Sequence, residues 1–350
     1  MAHARDDATL PLFGADDVDV DETVPVLGGQ AAADEPDGAA APDLGLFRVL
    51  RDDGTADPAH DPGLSDADAV RLYEQMLLIR NLDTRCLRLQ RQGRIAFYGT
   101  STGQEAATVG SSWCIGPEDW LFPALREGGA ALLRGMPVSR YIAQLMGNSY
   151  DEQKGHQQPM HFSYRAANRV SLSSPIATQV PQAVGAARAA QVRGDGRVVL
   201  AYMGDGATSE HDFHVALTFA GVWKCPVVLV CQNNHWAISV PVSAQTASPT
   251  IAVKGRGYGI PSLRVDGNDL LAVVKATRDA VERARTGGGP TFLELVAYRR
   301  QGHSSSDDPS VYRDPAELAE WEAKDPIDRM RRHLTVRGIW DDAREEEANA

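Results

Sequence analysis

Between Arg197 and Asn234 the chain runs through RVVLAYM, the triplet Gly-Asp-Gly, a stretch ATSEHDFHVALTFAGVWKC, a second apolar run PVVLVCQ and two adjacent asparagines. No other feature narrows the fold as much. Two short, nearly unbroken apolar runs read as buried strands, and the segment between them repeats Phe213, Ala216, Leu217 and Ala220 at helical spacing. Ser209 and Asp212 are spaced as a capping box, so the helix is expected to start there. Strand, turn, helix and strand in succession call for a parallel sheet with helices on both faces. In such a sheet the Gly-Asp-Gly turn falls at the carboxyl edge, where open α/β folds bind ligands. Gly204 and Gly206 permit a sharp turn and a close backbone approach, and the N–H groups opening the helix favour a phosphate. If the two strands are neighbours, Asp205 and Asn234 face each other across the edge. A carboxylate, an amide oxygen and a carbonyl are hard ligands that suit Mg²⁺ sharing phosphate oxygens.

Either half alone is a common loop, but the two together, with helix and strand between, are specific. A dinucleotide-binding turn is the nearest rival. It fails because Gly-Asp-Gly-Ala-Thr-Ser lacks the third glycine, and the following strand ends in Asn where a ribose-binding acid is expected.

The rest of the body continues the pattern. LSDADAVRLYEQMLLIRNLDTRCLRLQRQG places Leu72, Met76, Ile79, Leu82 and Cys86 on one helical face; Ser65 and Asp68 cap it and Gly93 ends it. DLLAVVKATRDAVERART (269–286) reads as a periodic helix and PTFLELVAY (290–298) as another buried strand, followed by a polar loop and a helical C-terminal segment.

Charge sorts the 350 residues into parts. Residues 1–43 carry about -10 and the last ten about -4, which leaves the remainder of the net -12 near +2. Residues 1–62, rich in Asp, Ala, Gly and Pro, are therefore expected to be a disordered or loosely attached arm, 63–340 the α/β domain, and 341–350 an acidic tail. A near-neutral body argues against a nucleic-acid face. No apolar run is long enough to span a membrane, and the acidic N-terminus resembles neither a signal nor a transit peptide. Cys86, Cys114, Cys225 and Cys231 form no metal-ligand spacing and fit a reduced, cytoplasmic setting.

With Gly-Asp-Gly, the intervening helix and strand, and Asn-Asn in place, the chain resembles thiamine diphosphate enzymes. Over about residues 65–340 it looks like the α subunit of the decarboxylating E1 component of 2-oxo acid dehydrogenase complexes. SLSSPIATQVPQAVGAA, NNHWAIS, LRVDGND and YRRQGHSSSDDPSVYR are most similar to the branched-chain type of bacteria, with the pyruvate or acetoin type as the alternative. The resemblance implies that Asp205, the Asn234 side chain and the Trp236 carbonyl hold Mg²⁺, and that Gly206 and Ala207 meet the cofactor through their backbone. It further assigns Arg126 in FPALREGG to the diphosphate, Ser174 to the cofactor, and Ser173, Pro175, Thr178 and Gln179 to a structural K⁺ site. Leu125 and Gln232 occupy cofactor-contact positions where relatives carry tyrosine and arginine. His303 matches a histidine beside the cofactor, expected to orient reactants or move protons because its pKa lies near working pH. Ser304 matches a phosphorylated position of mitochondrial relatives; no such regulation is expected here. His211 and His235 lie close enough to the motif to follow.

Thiamine diphosphate chemistry also needs a carboxylic acid on the aminopyrimidine ring. The resemblance places that acid on a β subunit, within an α2β2 heterotetramer that decarboxylates a branched-chain 2-oxo acid and passes the acyl group to lipoyl groups of the E2 core. On this reading the chain alone is inactive. The non-enzyme alternative, a phosphate-sensing scaffold with a decayed site, is disfavoured because Asp205, Asn234 and His303 are all present.

Overall fold

The computed structural model describes residues 45–349. Helices α1 (Asp66–Arg91) and α2 (Glu105–Trp113) precede strand β1 (Trp120–Phe122), followed by α3 (Gly128–Leu133), α4 (Val138–Met146) and α5 (Gln179–Arg193). Next come β2 (Val199–Gly204), α6 (His211–Trp223), β3 (Val227–Asn233), and a hairpin of β4 (Trp236–Ala237) and β5 (Val240–Pro241). Short helices α7 (Val242–Gln245) and α8 (Val253–Arg256) lead to β6 (Ser262–Asp266), α9 (Leu270–Arg285) and β7 (Thr291–Val296). Helices α10 (Pro315–Glu322), α11 (Pro326–Val336) and α12 (Asp342–Asn349) close the chain.

The main sheet has the order β1-β2-β3-β7-β6, and every pairing in it is parallel. Its two faces explain the unbroken apolar runs. Successive strand residues point to opposite faces, and here both faces are covered, so each position must be apolar. Leu200, Tyr202, Val228 and Val230 pack with Met76, Val109, Val273 and Met330 of α1, α2, α9 and α11. Val199, Ala201, Met203, Leu229 and Cys231 pack with Val180, Val184, Phe213 and Leu217 of α5 and α6. All four cysteines are free; Cys225 and Cys231 are fully buried and serve as small hydrophobes. No helix among the described residues is long and apolar enough to cross a membrane.

The expected helix start at Ser65 is present. Its hydroxyl oxygen accepts the Asp68 N–H at 3.1 Å, and Asp68 in turn accepts the hydroxyl proton at 2.7 Å. Gly93, at φ +70°, turns the chain out of α1. The second expected capping box is absent. Residues Asp205–Ser209 form a 3-10 turn, and α6 starts only at His211 with Glu210 as a cap that offers no side-chain hydrogen bond. Strands β1 and β6 were not among the sequence expectations. β1 has three residues, too few for a periodic signal, and only the last two residues of β6 are buried.

The boundary expected at residue 62 also moves. Residues 1–44 lie outside the described part, but 45–62 belong to the body: Phe47 bridges to Val265, and Val49 and Leu50 are buried in the core. Three apolar residues within an acidic stretch were too short a signal to separate from the arm. The acidic tail is likewise structured, since α12 places Glu345 where it accepts hydrogen bonds from Tyr73 Oη and Trp340 Nε1, each at 2.8 Å.

Asp269, within VDGND, ties these parts together. As the cap of α9 it accepts the Ala272 N–H at 3.0 Å, while its other oxygen accepts the N–H groups of Val49 and Leu50 at 2.7 and 2.6 Å. Asp269→Ala should strand three buried donors and cost on the order of 3 kcal/mol. A urea midpoint unchanged by the substitution would contradict this.

Candidate active site

β2 and β3 pair in register from Val199 opposite Val227 to Gly204 opposite Gln232. Asp205 and Asn233-Asn234 therefore leave the sheet side by side. The Asn234 backbone lies close enough to the Asp205 carboxylate to stabilise its charged form. Asp205 is buried, its Oδ2 accepts the Gln245 amide at 3.0 Å, and it has no ion pair among the described residues. Burial pushes its carboxyl above the usual carboxylate range, because no full positive charge balances it at contact distance.

Asn233 shapes the turn that leaves β3. Its Oδ1 accepts the His235 N–H at 3.1 Å, and its Nδ2 donates to Glu294 of β7 at 2.7 Å. His235 thus turns at φ +71°, an uncommon conformation for a non-glycine residue. Asn234 Nδ2 donates to Gln104 at 3.0 Å and its Oδ1 accepts the Trp236 N–H at 3.2 Å, which leaves that oxygen a second lone pair. The two asparagines have different tasks: the first builds the turn and the second presents an oxygen at the edge.

Gly206 lets the β4–β5 hairpin come in. A Cβ on Gly206 would lie 2.7 Å from the Ala237 Cβ, so a side chain there would push the hairpin and its Trp236 carbonyl away. Gly204 has an ordinary φ of -88° and open space around it, so only one of the two glycines is demanded sterically by the fold. The buried carboxylate of Asp205, the amide oxygen of Asn234 and the carbonyl of Trp236 form an all-oxygen donor set, which fits a small hard cation. No cluster of three or more His, Cys, Asp or Glu that could hold a metal exists among the described residues, so a metal here depends on neutral oxygens as well.

Arg126 and His303 come together as a second group. Arg126 is buried and donates to the Thr100 carbonyl and the His303 carbonyl, each at 2.6 Å, with His303 Nδ1 3.3 Å away. A guanidinium only donates, so His303 Nδ1 carries the lone pair and its proton sits on Nε2. Burial first, then the positive charges of Arg126 and Arg299, pushes the His303 imidazole down to about 4. This corrects the expectation of a pKa near working pH: His303 is neutral there and offers an N–H donor.

Arg299 was not singled out from sequence. It follows β7, is fully buried, and donates to the carbonyls of Trp236 at 3.2 Å and Ile238 at 2.7 Å, and to Tyr312 Oη at 2.6 Å. Tyr312 donates onward to Asp307 at 2.6 Å, and Asp307 accepts the His303 N–H. Arg299 thereby joins the Trp236 carbonyl to the His303 loop. Burial and the charge of Arg299 lower Arg126 to about 10, so two cations are held close together away from bulk water.

Other expected residues fall into place unevenly. Ser174 is exposed and donates to Nε2 of His161, whose Nδ1–H is held by the Pro159 carbonyl at 3.0 Å. His161 was missed because only folding brings it to Ser174. Gln179, the first residue of α5, donates to the Tyr202 carbonyl at 2.8 Å and so ties the segment containing Ser173, Pro175 and Thr178 to β2. Ala207 is buried in the turn. Leu125 packs beside Gly99 with no polar atom to offer. Gln232 points under α2, donating to Thr108 Oγ1 at 3.2 Å while its Oε1 has no partner; no hydrogen bond joins it to Asp205, Arg126 or His303. His211 is exposed, and His235 is half-buried against Trp321 with ring centroids 4.9 Å apart.

This arrangement defines a class: a parallel α/β protein that gathers a buried carboxylate, amide and carbonyl oxygens, and buried cationic side chains at the carboxyl edge of its sheet. More particularly, the chain belongs to the dehydrogenase E1 component family, whose model matches residues 73–350. It is 44% identical over 310 residues to the 3-methyl-2-oxobutanoate dehydrogenase subunit alpha of Mycobacterium tuberculosis, covering 88% of this chain and 82% of that one. It is 43% identical over 302 residues to the mitochondrial 2-oxoisovalerate dehydrogenase subunit alpha of Bos taurus, and 42% identical to that of Homo sapiens. The match covers 86% of this chain and 66% and 68% of the length of those two mammalian relatives.

A depressed His303 pKa has a testable sign. The unfolded imidazole takes its proton near 6.5 and the folded one near 4, so the stability His303 contributes is full above about 6.5 and is lost as the pH falls toward 4. Carbon-13 histidine NMR should place the His303 midpoint near 4, rising when pyrophosphate is added. A midpoint near 6.5 without ligand would contradict the buried, cation-flanked position.

Proposed function

We propose that this chain is the α subunit of a branched-chain 2-oxo acid dehydrogenase E1 component. The observation that carries the reading is the pairing at the sheet edge of an oxygen donor set, Asp205, Asn234 and the Trp236 carbonyl, with an anion-seeking pair, Arg126 and His303. Names of relatives 42–44% identical to the chain support the branched-chain substrate class.

Asp205, Asn234 and Trp236 would hold Mg²⁺, Arg126 and the Nε2–H of His303 would take the diphosphate, and Gly206 and Ala207 would face it with their backbone. When bound, thiamine diphosphate supplies the electron sink for loss of carbon dioxide from the 2-oxo acid. This chain's residues bind and orient. Asp205 gives the cation a buried counter-charge, Arg126 fixes the diphosphate end, and neutral His303 donates a hydrogen bond without adding a third positive charge. Ser174, backed by His161, is a further polar contact at the mouth.

The acid that faces the aminopyrimidine is assigned to a β subunit, in an α2β2 assembly served by a lipoyl-bearing E2 core. Apolar residues left exposed next to site residues support a covering partner: Ile176 near Ser174, Ile238 and Val240 on the hairpin, and Val311 beside Tyr312. Ser173, Pro175, Thr178 and Gln179 are assigned to K⁺, which would brace the start of α5 against β2. The four free thiols accord with the cytoplasmic location proposed for the enzyme.

Co-expression with the adjacent-gene β chain, followed by decarboxylation assays with an artificial electron acceptor, tests the reading. 3-Methyl-2-oxobutanoate should be preferred to pyruvate, with activity lost without thiamine diphosphate or without the β chain, and reduced when Na⁺ replaces K⁺. Preference for pyruvate would move the protein to the neighbouring substrate class. Activity independent of thiamine diphosphate would sink the proposal.

A further inference from the structure

Asp83 lies in the middle of α1, in the apolar stripe Leu72, Met76, Ile79, Cys86, where a carboxylate has no packing reason to be. It is 2% exposed. Three donors converge on it: Tyr98 Oη at 2.8 Å on one oxygen, and the Ser101 N–H at 2.7 Å and Thr102 Oγ1 at 2.9 Å on the other. All three come from the five-residue segment Tyr98–Thr102.

That segment touches both halves of the anion-seeking pair. The Thr100 carbonyl accepts from Arg126 Nη1 at 2.6 Å, and Ser101 Oγ donates to the Arg126 carbonyl at 2.7 Å. Tyr98 exchanges two hydrogen bonds with Ser305, its carbonyl accepting the Ser305 N–H at 2.7 Å and its N–H donating to Ser305 Oγ at 3.2 Å. The Thr102 carbonyl accepts the Arg300 N–H at 3.3 Å, which bounds the His303 loop on its other side. Gly99 shows how tightly the parts meet: a Cβ there would lie 3.0 Å from Arg126 Nη1 and 3.2 Å from the His303 carbonyl.

We propose that Asp83 is a positioning residue for the Arg126–His303 pair: its carboxylate sets the path of Tyr98–Thr102, and that segment aims the guanidinium and holds the histidine loop against it. The consequence for cofactor affinity rests on the functional reading above, whereas the geometric claim does not. Asp83 sits on a 26-residue helix packed into the core, so it anchors a loop to a rigid element.

The chemistry separates a specific role from mere filling of space. Asp83→Ala removes the acceptor for three donors. In Asp83→Asn the amide oxygen can keep Ser101 and Thr102, while the amide nitrogen donates to Tyr98 Oη, whose own proton can turn to Tyr141 Oη at 3.3 Å. The asparagine variant should therefore rescue what alanine loses.

The test uses the α chain assembled with its β partner. The His303 midpoint is read by carbon-13 histidine NMR without cofactor, and thiamine diphosphate affinity by calorimetry. Asp83→Ala should raise the His303 midpoint by about one unit or more and weaken cofactor binding about tenfold, with Asp83→Asn close to wild type in both. If Asp83→Ala does not assemble, Thr102→Val, which removes one donor and leaves the carboxylate, should move the midpoint in the same direction by less. A wild-type midpoint in every folded variant overturns the proposal. A midpoint that moves in a protein whose wild type binds no thiamine diphosphate upholds the positioning role and sinks the cofactor reading instead.

Discussion

Six residues of parallel pairing, from Val199 opposite Val227 to Gly204 opposite Gln232, carry the geometry of the site. Because side chains alternate along a strand, a slip of one residue between β2 and β3 would send every apolar group to the wrong core and separate Asp205 from Asn234. The two cores hold that register in place, since Leu200 and Val228 belong to one and Ala201 and Leu229 to the other. The cost of a slip is thus spread over the whole sheet, and the binding edge inherits the rigidity of the interior.

On that frame the site keeps its charges apart. Asp205 is buried without a basic partner in contact; the buried Arg299 lowers Arg126, and both arginines lower His303. On the proposed reading, a cation at Asp205 and an anion at Arg126 would offset these burial costs together. Neutral His303 fits the same logic, since a third cation at this depth would add repulsion.

Much of this was legible in the sequence because buried parallel strands leave unbroken apolar runs, and because a turn between them is marked by glycine. Asp205, Asn234, Arg126 and His303 stood at the ends of such runs or in loops with no packing pattern. Arg299 was hidden because two arginines follow Tyr298 and nothing local says which one turns inward; the structure buries Arg299 fully and leaves Arg300 to pair with Asp325 and Glu322. The Ser209 cap failed for a local reason: Thr208 Oγ1 donates to the Asp205 carbonyl at 2.8 Å, closing a 3-10 turn that delays the helix. His161 and Ser174 meet only through tertiary structure. Asp83 left a trace, an acid in an apolar stripe at helical spacing, that becomes readable once its three donors are seen.

The central claim is that Asp205 holds a metal ion that in turn holds the cofactor. Calorimetric titration of thiamine diphosphate into the assembled protein, with Mg²⁺ and then with a chelator, for wild type and Asp205→Ala, tests it most directly. Wild type should bind only with Mg²⁺, and Asp205→Ala should not bind under either condition. Matching isotherms for the two proteins in the presence of Mg²⁺ would contradict the account.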